Sequence, residues 1–210
     1  IMPWVQNFDP TNNVSQFEPP EGEILRLVAS TPKPWFPVAG YRRGQVVAEL
    51  LRFSASKEDR DLIQGLVGSS VQICNPITRR SGRGLFLLGQ QTAYRTPGSV
   101  LGRLSVRWTL NLIMNLISTT SLEFLFEIND PILWREATAR LNAILQPIVE
   151  RRGLQDAHVV IDKTTVTSTD IDRLAMPGKL FIKPSLDVEQ VEFDLVLTPQ
   201  GADFSEVVVG

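Results

Sequence analysis

The sequence predicts a mixed α/β (α+β) fold, in which helices pack on a partly antiparallel sheet and a small hairpin lies at the N-terminus. Three observations predict this class. Two short strand-like segments near the N-terminus flank a connector rich in turn residues. Two helical segments in the second half alternate with strand-like segments, as they do when helices cover a sheet. The last strand-like segment, residues 191–198, alternates apolar and acidic residues, which is typical of an antiparallel sheet with one solvent-exposed face.

The N-terminal hairpin is predicted from residues 4–8 and 14–18, which are short strand candidates. The five residues between them, 9–13, are the turn formers Asp, Pro, Thr, Asn and Asn, so we expect a hairpin with a five-residue loop. Residues 23–30 are too few to classify by periodicity. The prolines that follow them exclude regular structure directly beyond.

A short helix and a pair of strands are predicted in the middle of the chain. Ser56 and Asp59 have the spacing of a capping box, an N-cap hydroxyl followed three residues later by an acid. Residues 72–74 and 85–88 are predicted strands. They flank residues 79–84, a loop too rich in Gly and Arg to belong to the core. The apolar residues of the predicted short helix are Leu62, Ile63 and Leu66.

The second half carries clearer helical signals. Residues 104–117 predict a helix whose apolar residues surround most of its circumference, so it should be largely buried. A short strand at residues 124–126 should follow it. Asp130 and Pro131 then begin a second helix, because Asp is a favoured N-cap and Pro loses no hydrogen bond at the first helical position. Gly153 should end this helix. Its predicted buried face consists of Trp134, Ala137, Leu141, Ile144, Leu145 and Ile148.

Two further strands are expected at residues 158–161 and 179–183. No internal repeat or low-complexity tract divides the chain. We therefore expect three parts: an N-terminal hairpin in residues 1–22, an α/β core domain in residues 23–200 and a C-terminal arm in residues 201–210.

Composition and charge disfavour several classes of partner. The formal net charge is −2, and the paired arginines stand apart without interleaved aromatic residues. We therefore expect neither nucleic acid nor an anionic membrane surface as a partner. No apolar run approaches the length of a membrane span. The single cysteine, Cys74, excludes an intrachain disulfide and suits a reducing compartment.

Candidate catalytic residues are few. The single histidine, His158, lies in a predicted strand, where we expect a structural role; a base paired with Cys74 or with a serine is the alternative. One His and one Cys cannot supply a Cys/His zinc site. Residues 98–105 resemble a P-loop only faintly, because the glycine spacing is short and the lysine is absent. Six carboxylates would form a divalent-metal site only if the fold gathered them, and capping or loop roles are expected instead. They are Glu123, Glu127, Asp130, Asp162, Asp170 and Asp172.

The sequence thus predicts no catalytic, cofactor-binding or metal site, and the chain is expected not to be an enzyme. A generic soluble α/β protein-binding module is the first alternative function, and a hydrolase is the second.

Short segments follow one another in a recognisable order along nearly the whole chain. They are Pro3-Trp4-Val5, Phe8-Asp9-Pro10, Pro19-Pro20-Glu21-Gly22, Lys33-Pro34-Trp35, Asn75-Pro76-Ile77, Gly82-Arg83-Gly84, Val106-Arg107, Phe126-Glu127-Ile128-Asn129-Asp130, residues 162–172, Lys183-Pro184 and Gly201-Ala202-Asp203-Phe204. In this order they resemble the conserved core of contractile-tail sheath proteins, the sheaths of contractile phage tails with relatives in contractile bacteriocins and type VI secretion. The chain departs from the family pattern at Trp108, where the family has Arg, and at Ile128, where it has Pro.

The resemblance implies a structural subunit of a contractile tail sheath. Members of the family form hexameric rings that stack into a helical polymer around a tail tube, and they contract to drive the tube through a cell envelope. It therefore implies a homo-oligomer whose partner is the tail tube protein, located in the virion and, during assembly, in the host cytoplasm. Because the chain opens at Ile1 and shows no N-terminal arm, we expect a truncated subunit that corresponds to the C-terminal portion.

The family carries extended arms that add strands to the sheets of neighbouring subunits. The C-terminal arm of this chain is strand-prone and has no evident partner of its own. Such a strand gains main-chain hydrogen bonds when it completes an exposed sheet edge. A disordered terminus is the alternative. The arm residues that the resemblance singles out are Gly201, Asp203, Phe204, Val207, Val208 and Val209.

The family also places a charged helix of this domain against the tube. In this chain the helix that begins at Pro131 carries an excess of arginine, which suits an acidic tube surface; a merely solvated face is the alternative. Exposed ion pairs contribute about 0–1 kcal/mol each, so many copies must act together. The possible tube-facing residues are Arg135, Arg140, Arg151 and Arg152.

Overall fold

The computed structural model describes residues 3–56, 58–60, 74–94, 96 and 99–188. Its strands are β1 (Val5–Asp9), β2 (Val14–Glu18), β3 (Gln45–Val46), β4 (Leu50–Leu51), β5 (Ile77–Arg80), β6 (Gly84–Leu87), β7 (Leu154–Val160) and β8 (Lys179–Pro184). The α-helices with described bounds are α1 (Glu21–Ser30), α2 (Leu104–Ser121), α3 (Pro131–Glu150) and α4 (Ser168–Asp172).

The described strands form three small antiparallel sheets, with the strand orders β2-β1-β4, β3-β6-β5 and β7-β8. The predicted mixed α/β class is confirmed. The described strands are divided among three sheets, whereas the sequence suggested one sheet and a separate N-terminal hairpin. No described helix combines the length and the apolarity that crossing a membrane requires.

The predicted N-terminal hairpin is confirmed. β1 and β2 pair from Val5 opposite Glu18 to Asp9 opposite Val14. The turn between them is stabilised locally, because the Asp9 carboxylate accepts a hydrogen bond of 2.8 Å from the backbone of Thr11. Hydrogen bonds from the Asn12 side chain and from the Thr11 backbone lower the pKa of Asp9.

The segment that the sequence left unclassified, residues 23–30, belongs to α1, which begins two residues earlier and buries Leu27. The predicted capping box is confirmed as well. The backbone N–H of Asp59 donates to the Ser56 hydroxyl and the backbone N–H of Ser56 donates to the Asp59 carboxylate, both at 3.1 Å. Leu62, Ile63 and Leu66 lie outside the described residues.

The prediction for the strands around residues 79–84 is partly wrong. β5 contains Arg79 and Arg80, which were placed in the loop. Of the strand predicted at residues 72–74, Cys74 lies before β5, and residues 72 and 73 lie outside the described residues. Gly82 and Gly84 adopt φ values of 70° and 95°, which glycine adopts at little cost. Because these glycines allow a tight turn, the turn is short and the strand extends to Arg80. The two arginines are exposed at the end of a strand whose first half is buried.

α2 is longer and less buried than predicted. It continues to Ser121, and although Val106 and Ile113 are buried, Met114 is 56% exposed. The helix therefore buries one face. The strand predicted at residues 124–126 is wrong, because a 3₁₀ turn, Leu122–Phe124, continues directly from the helix and Phe126 then takes a left-handed φ of 69°.

α3 begins as predicted. The Asp130 carboxylate accepts hydrogen bonds from the backbone N–H groups of Ile132 and Leu133, at 2.9 and 2.8 Å, and Pro131 occupies the first turn. Ile144 is only half-buried, and Leu133 takes a place in the core instead. The buried face consists of Leu133, Trp134, Ala137, Leu141, Leu145 and Ile148.

Two hydrophobic clusters form the described core, and α2 contributes to both. Its first turns, at Leu104 and Trp108, pack on an N-terminal cluster built around β1, α1 and β6. Its later turns, at Ile113 and Ile117, pack on a C-terminal cluster in which α3 covers the inner face of β7–β8. The division of the chain into residues 1–22, 23–200 and 201–210 stays a prediction.

Candidate assembly surfaces

The C-terminal sheet has two described strands, so each has an edge that faces away from its partner. β7 and β8 pair from Val160 opposite Lys179 to Leu154 opposite Pro184, with an irregularity near Leu154. The inner side chains, such as Val159 and Leu180, face the helices. Lys179 and the other outer residues of β8 are exposed.

The outer edge of β7 is closed by side chains. The backbone N–H of Val159 donates to the Asn142 amide oxygen of α3 at 3.0 Å. Two residues earlier, the N–H of Ala157 donates to the Asp156 carboxylate at 2.8 Å. Residues that alternate along a strand direct their backbone groups to the same side. The outward donors at Ala157 and Val159 are therefore already bonded.

The outer edge of β8 is different. Ala157 and Val159 lie opposite Ile182 and Leu180. The N–H groups of Ala157 and Val159 point away from β8. In an antiparallel sheet, the residues directly opposite them on β8 must then direct their own backbone groups away from β7. Within the part of the chain that the structure describes, these groups of Leu180 and Ile182 have no hydrogen-bond partner.

The segment that follows β8 is anchored by Asp187. Its carboxylate accepts a hydrogen bond of 2.5 Å from the Gln90 side-chain amide and one of 3.2 Å from the Ser105 hydroxyl. Gln90 and Ser105 are buried, and Ser105 lies in the first turn of α2. The predicted strand at residues 191–198 and all of the predicted arm, including Phe204, lie outside the described residues.

The four arginines nominated as tube-facing are all exposed, but the helix does not bring them together. Arg140 and Arg151 are eleven residues apart, which is about three helical turns, so they share one face. Arg135 lies about 140° around the helix from Arg140, and Arg152 lies beyond the end of α3. The Arg140 guanidinium is 3.5 Å from the Glu123 carboxylate, and Arg135 donates to the Pro131 carbonyl at 3.3 Å.

Two of the carboxylates considered as metal ligands, Asp162 and Asp170, have local partners in the turns around α4. Asp162 accepts hydrogen bonds from the hydroxyl and the backbone N–H of Thr164, which lower its pKa. Asp170 and Thr167 form a capping box at the start of α4, and the Thr167 hydroxyl, 2.6 Å away, lowers the pKa of Asp170. Among the described residues, no three His, Cys, Asp or Glu side chains are grouped so that they would hold a metal ion. His158 is exposed on the outer face of β7.

A groove that the sequence did not predict opens where α2 ends and α3 begins. Its volume is about 350 Å³, and it is framed by Phe126 and Leu174, which are 105% and 94% exposed. The side chains that line it come from both helices and from the inner face of the sheet. Those on its apolar walls are Ile117, Phe124, Leu133, Leu141, Val159, Ile161, Met176 and Leu180.

A second, shallower cleft of about 1030 Å³ lies between the β1–β2 and β5–β6 hairpins. The two carboxylates that line it have partners. Glu23 pairs with Arg26 at 2.9 Å and accepts from the backbone N–H of Val47, and Glu49 accepts from the Ser15 hydroxyl.

Comparison with known proteins relates the chain to two phage proteins named tail sheath protein. It is 29% identical over 205 residues to that of Vibrio phage KVP40, and 29% identical over 204 residues to that of Enterobacteria phage T4. The matches cover 96% and 95% of this chain and 30% of each relative, so the chain spans about 30% of the length of the curated relatives it matches. No protein-family model matches the chain.

The fold is shared with a chain in a solved structure of a contractile assembly. The sheath complex of an extracellular contractile injection system, PVC, in its contracted state matches with a TM-score of 0.77 over 97% of this chain and 55% of the other, at 20% identity. This chain is similar in sequence to two phage tail sheath proteins and in fold to the PVC sheath, and the similarity to tail sheath proteins confirms the resemblance carried by its motifs.

Proposed function

We propose that this chain is part of a structural subunit of a contractile tail sheath. The subunit polymerises into hexameric rings stacked around a tail tube, and the polymer contracts to drive the tube through a cell envelope. One observation carries the proposal: the similarity to named tail sheath proteins extends over 96% of the chain. The subunit acts by assembly without catalysis, and its place is in the virion, after assembly in the host cytoplasm.

The edge of β8, unpaired among the described residues, supports assembly by strand addition. A strand that pairs there forms main-chain hydrogen bonds with Leu180 and Ile182, whereas the outward N–H groups of Ala157 and Val159 on β7 are already bonded. The C-terminal arm, residues 201–210, supplies such a strand to a neighbouring subunit. Asp187 fixes the start of the segment that leads to this arm, because Gln90 and Ser105 hold its carboxylate.

The tube contact is proposed for one face of α3. Arg140 and Arg151 share that face and are exposed, so both guanidinium groups can meet an acidic surface together. Contraction requires two packings of the same subunit. A contact made of weak exposed ion pairs, repeated in every subunit, holds the extended packing until it is released.

Electron microscopy of the full-length protein, with and without residues 201–210, tests the proposal. Tubes or stacked rings are expected from the intact protein, and their loss is expected on deletion of the arm. The proposal does not survive if the intact protein forms no polymer under any condition in which its tube is present.

A further inference from the structure

Helix α2 begins without an acidic or capping side chain of its own. The side chain of Arg103, its N-cap residue, makes no capping hydrogen bond, and the first turn contains no acidic residue. The start of a helix presents unpaired N–H groups and a partial positive charge, which an anion stabilises. No acidic residue occurs between Asp61 and Glu123 in the sequence, so a stabilising anion has to come from a distant part of the chain.

Asp187, which follows β8, supplies this anion. Its carboxylate accepts a hydrogen bond of 3.2 Å from the Ser105 hydroxyl and one of 2.5 Å from the Gln90 side-chain amide. Ser105 is the second residue of α2, and the Gln90 carbonyl accepts from the backbone N–H of Leu104 at 2.9 Å. The contact of Asp187 with Gln90 and Ser105, here called the Asp187 clasp, therefore joins the segment after β8, the loop after β6 and the first turn of α2.

The docked state of the Asp187 clasp is costly to leave. Gln90 and Ser105 are 4% and 3% exposed. The side-chain oxygen of Gln90 is buried without a hydrogen-bond partner among the described residues, so its amide nitrogen, bonded to Asp187, is the satisfied end of this side chain. When Asp187 leaves, its carboxylate is solvated, but the Gln90 amide stays buried without that partner. This penalty favours two distinct states, docked and released, over a gradual loosening.

The Asp187 clasp acts on the helix that both hydrophobic clusters share. α2 packs on the N-terminal cluster through Leu104 and Trp108 and on the C-terminal cluster through Ile113 and Ile117. We propose that the clasp is a conformational switch, which couples the path of the segment after β8 to the start of α2. Such coupling is reciprocal: displacement of the segment loosens the first turn of α2, and a shift of α2 releases the segment. The inference does not depend on the proposed sheath function, because it concerns the unassembled chain.

Gln90→Met tests the switch without a defect in folding. Methionine has nearly the shape of glutamine and leaves no buried polar group, so the melting temperature of the unassembled full-length protein should stay unchanged or rise. Asp187 should nevertheless be released more often. Chymotrypsin should therefore cut after Leu186 about tenfold faster or more, as expected for the loss of a hydrogen bond to a charged group. Mass spectrometry of the fragments measures the rate, and Gln16→Met, on the exposed strand β2, is the matched control.

Asp187→Ala tests the reciprocal effect on the helix. The N–H of Arg107, which donates to the Arg103 carbonyl at 3.1 Å, should exchange with deuterium about threefold faster or more, because the start of α2 loses its anion. The variant should also melt at a lower temperature, since Gln90 is then buried without its partner. Adding Gln90→Met to it should restore the melting temperature. Asp172→Ala, which removes an exposed aspartate of α4, is the matched control and should change neither property.

Three results would overturn the inference. If Gln90→Met leaves the rate of cutting after Leu186 unchanged, Gln90 does not hold the segment. If Asp187→Ala leaves the exchange of the Arg107 amide unchanged, the segment is not coupled to α2. If Gln90→Met lowers the melting temperature of the Asp187→Ala protein further, the two residues have independent packing roles. None of these results bears on the proposed sheath function, which polymerisation tests separately.

Discussion

Two adjacent residues end α3, and each meets a different requirement. Arg152 adopts a left-handed φ of 66°, and the N–H groups of Arg152 and Gly153 donate to the carbonyls of Val149 and Ile148 at 2.9 and 2.8 Å. This is the Schellman arrangement, in which the left-handed position usually holds glycine. Gly153 is required for space, since a Cβ there would lie 2.7 Å from Trp35 and from Ile148.

Arg152→Gly should therefore stabilise the protein. The substitution relieves the strain of the left-handed conformation, and this gain exceeds the entropic cost of ordering glycine on folding. The net increase in the free energy of unfolding should be about 0.5–1 kcal/mol. Urea denaturation measures this gain. Gly153→Ala is the contrasting variant and should destabilise the protein, because the new methyl group meets the Trp35 ring. Equal effects of the two variants would contradict this division of roles.

The stability of the loops around α4 should depend on pH. The pKa values of Asp162 and Asp170 are lowered in the folded protein by hydrogen bonds from Thr164 and Thr167. A folded-state pKa below the unfolded one contributes stability that is fully present above the unfolded pKa. That contribution is lost as the pH falls below about 4 and through the lowered values. Urea denaturation between pH 5 and pH 3 should show a weaker pH dependence for Asp170→Asn than for wild type; an identical dependence would exclude Asp170 as a contributor.

At the scale of elements, the two edges of the C-terminal sheet differ because of their neighbours. Asn142 of α3 reaches the edge of β7 and bonds the N–H of Val159. The edge of β8 has no such bond to its outward groups in the described part of the chain. Among the described residues, the outward N–H groups are thus bonded at one edge and unbonded at the other, so a strand adds more readily to β8.

Proline at the open edge of β8 tests this asymmetry. The N–H of Ile182 points away from β7, so Ile182→Pro should fold about as well as Ile182→Ala, which loses the same packing but keeps the donor. Ile182→Pro should nevertheless abolish polymerisation of the full-length protein, and Ile182→Ala should retain it. Circular dichroism and sedimentation measure the two properties. Phe181→Pro, which removes an N–H bonded to β7, should unfold the sheet; polymers formed by Ile182→Pro would contradict the assignment of the edge.

The elements that local chemistry determines were predicted well. The start of α3 depends on Asp130 and Pro131 alone, and the capping box at Ser56 depends on residues four positions apart at most, so both follow from sequence. Residues 124–126 were predicted wrongly, because a short apolar run does not by itself identify a strand. Arg79 and Arg80 of β5 were placed in a loop because they are charged and lie close to glycines. The limited burial of α2 depends on which neighbours pack on it, and no local pattern contains that information.

At the scale of the whole molecule, the surfaces proposed for assembly depend on contacts between distant parts of the chain. The arginine excess of α3 was visible in the sequence, but only helical geometry shows that Arg140 and Arg151 share a face. The groove was not predicted from the sequence. Asn129 links the loops that carry Phe126 and Leu174, which are distant in sequence, and the residue types do not predict the left-handed conformations of these two residues. The family resemblance, in contrast, was visible because it depends on the order of short motifs.

Charge reversal tests the proposed tube-facing surface. Arg140→Glu with Arg151→Glu should weaken association with the tail tube and should reduce its dependence on salt, because exposed ion pairs are screened. Arg135→Glu, on another face of α3, is the matched control and should have a smaller effect. Co-sedimentation with tubes at several salt concentrations measures both. If the double reversal binds tubes like wild type, the tube contact lies elsewhere.

We propose that this chain belongs to a subunit that assembles through its C-terminal arm into a contractile sheath. Electron microscopy of the full-length protein, intact and lacking residues 201–210, tests this proposal. Tubes or stacked rings are expected from the intact protein, and dispersed subunits are expected after the deletion. Polymers that form equally well without residues 201–210 would contradict the role of the arm, and the absence of polymers from the intact protein in the presence of its tube would contradict the sheath function itself.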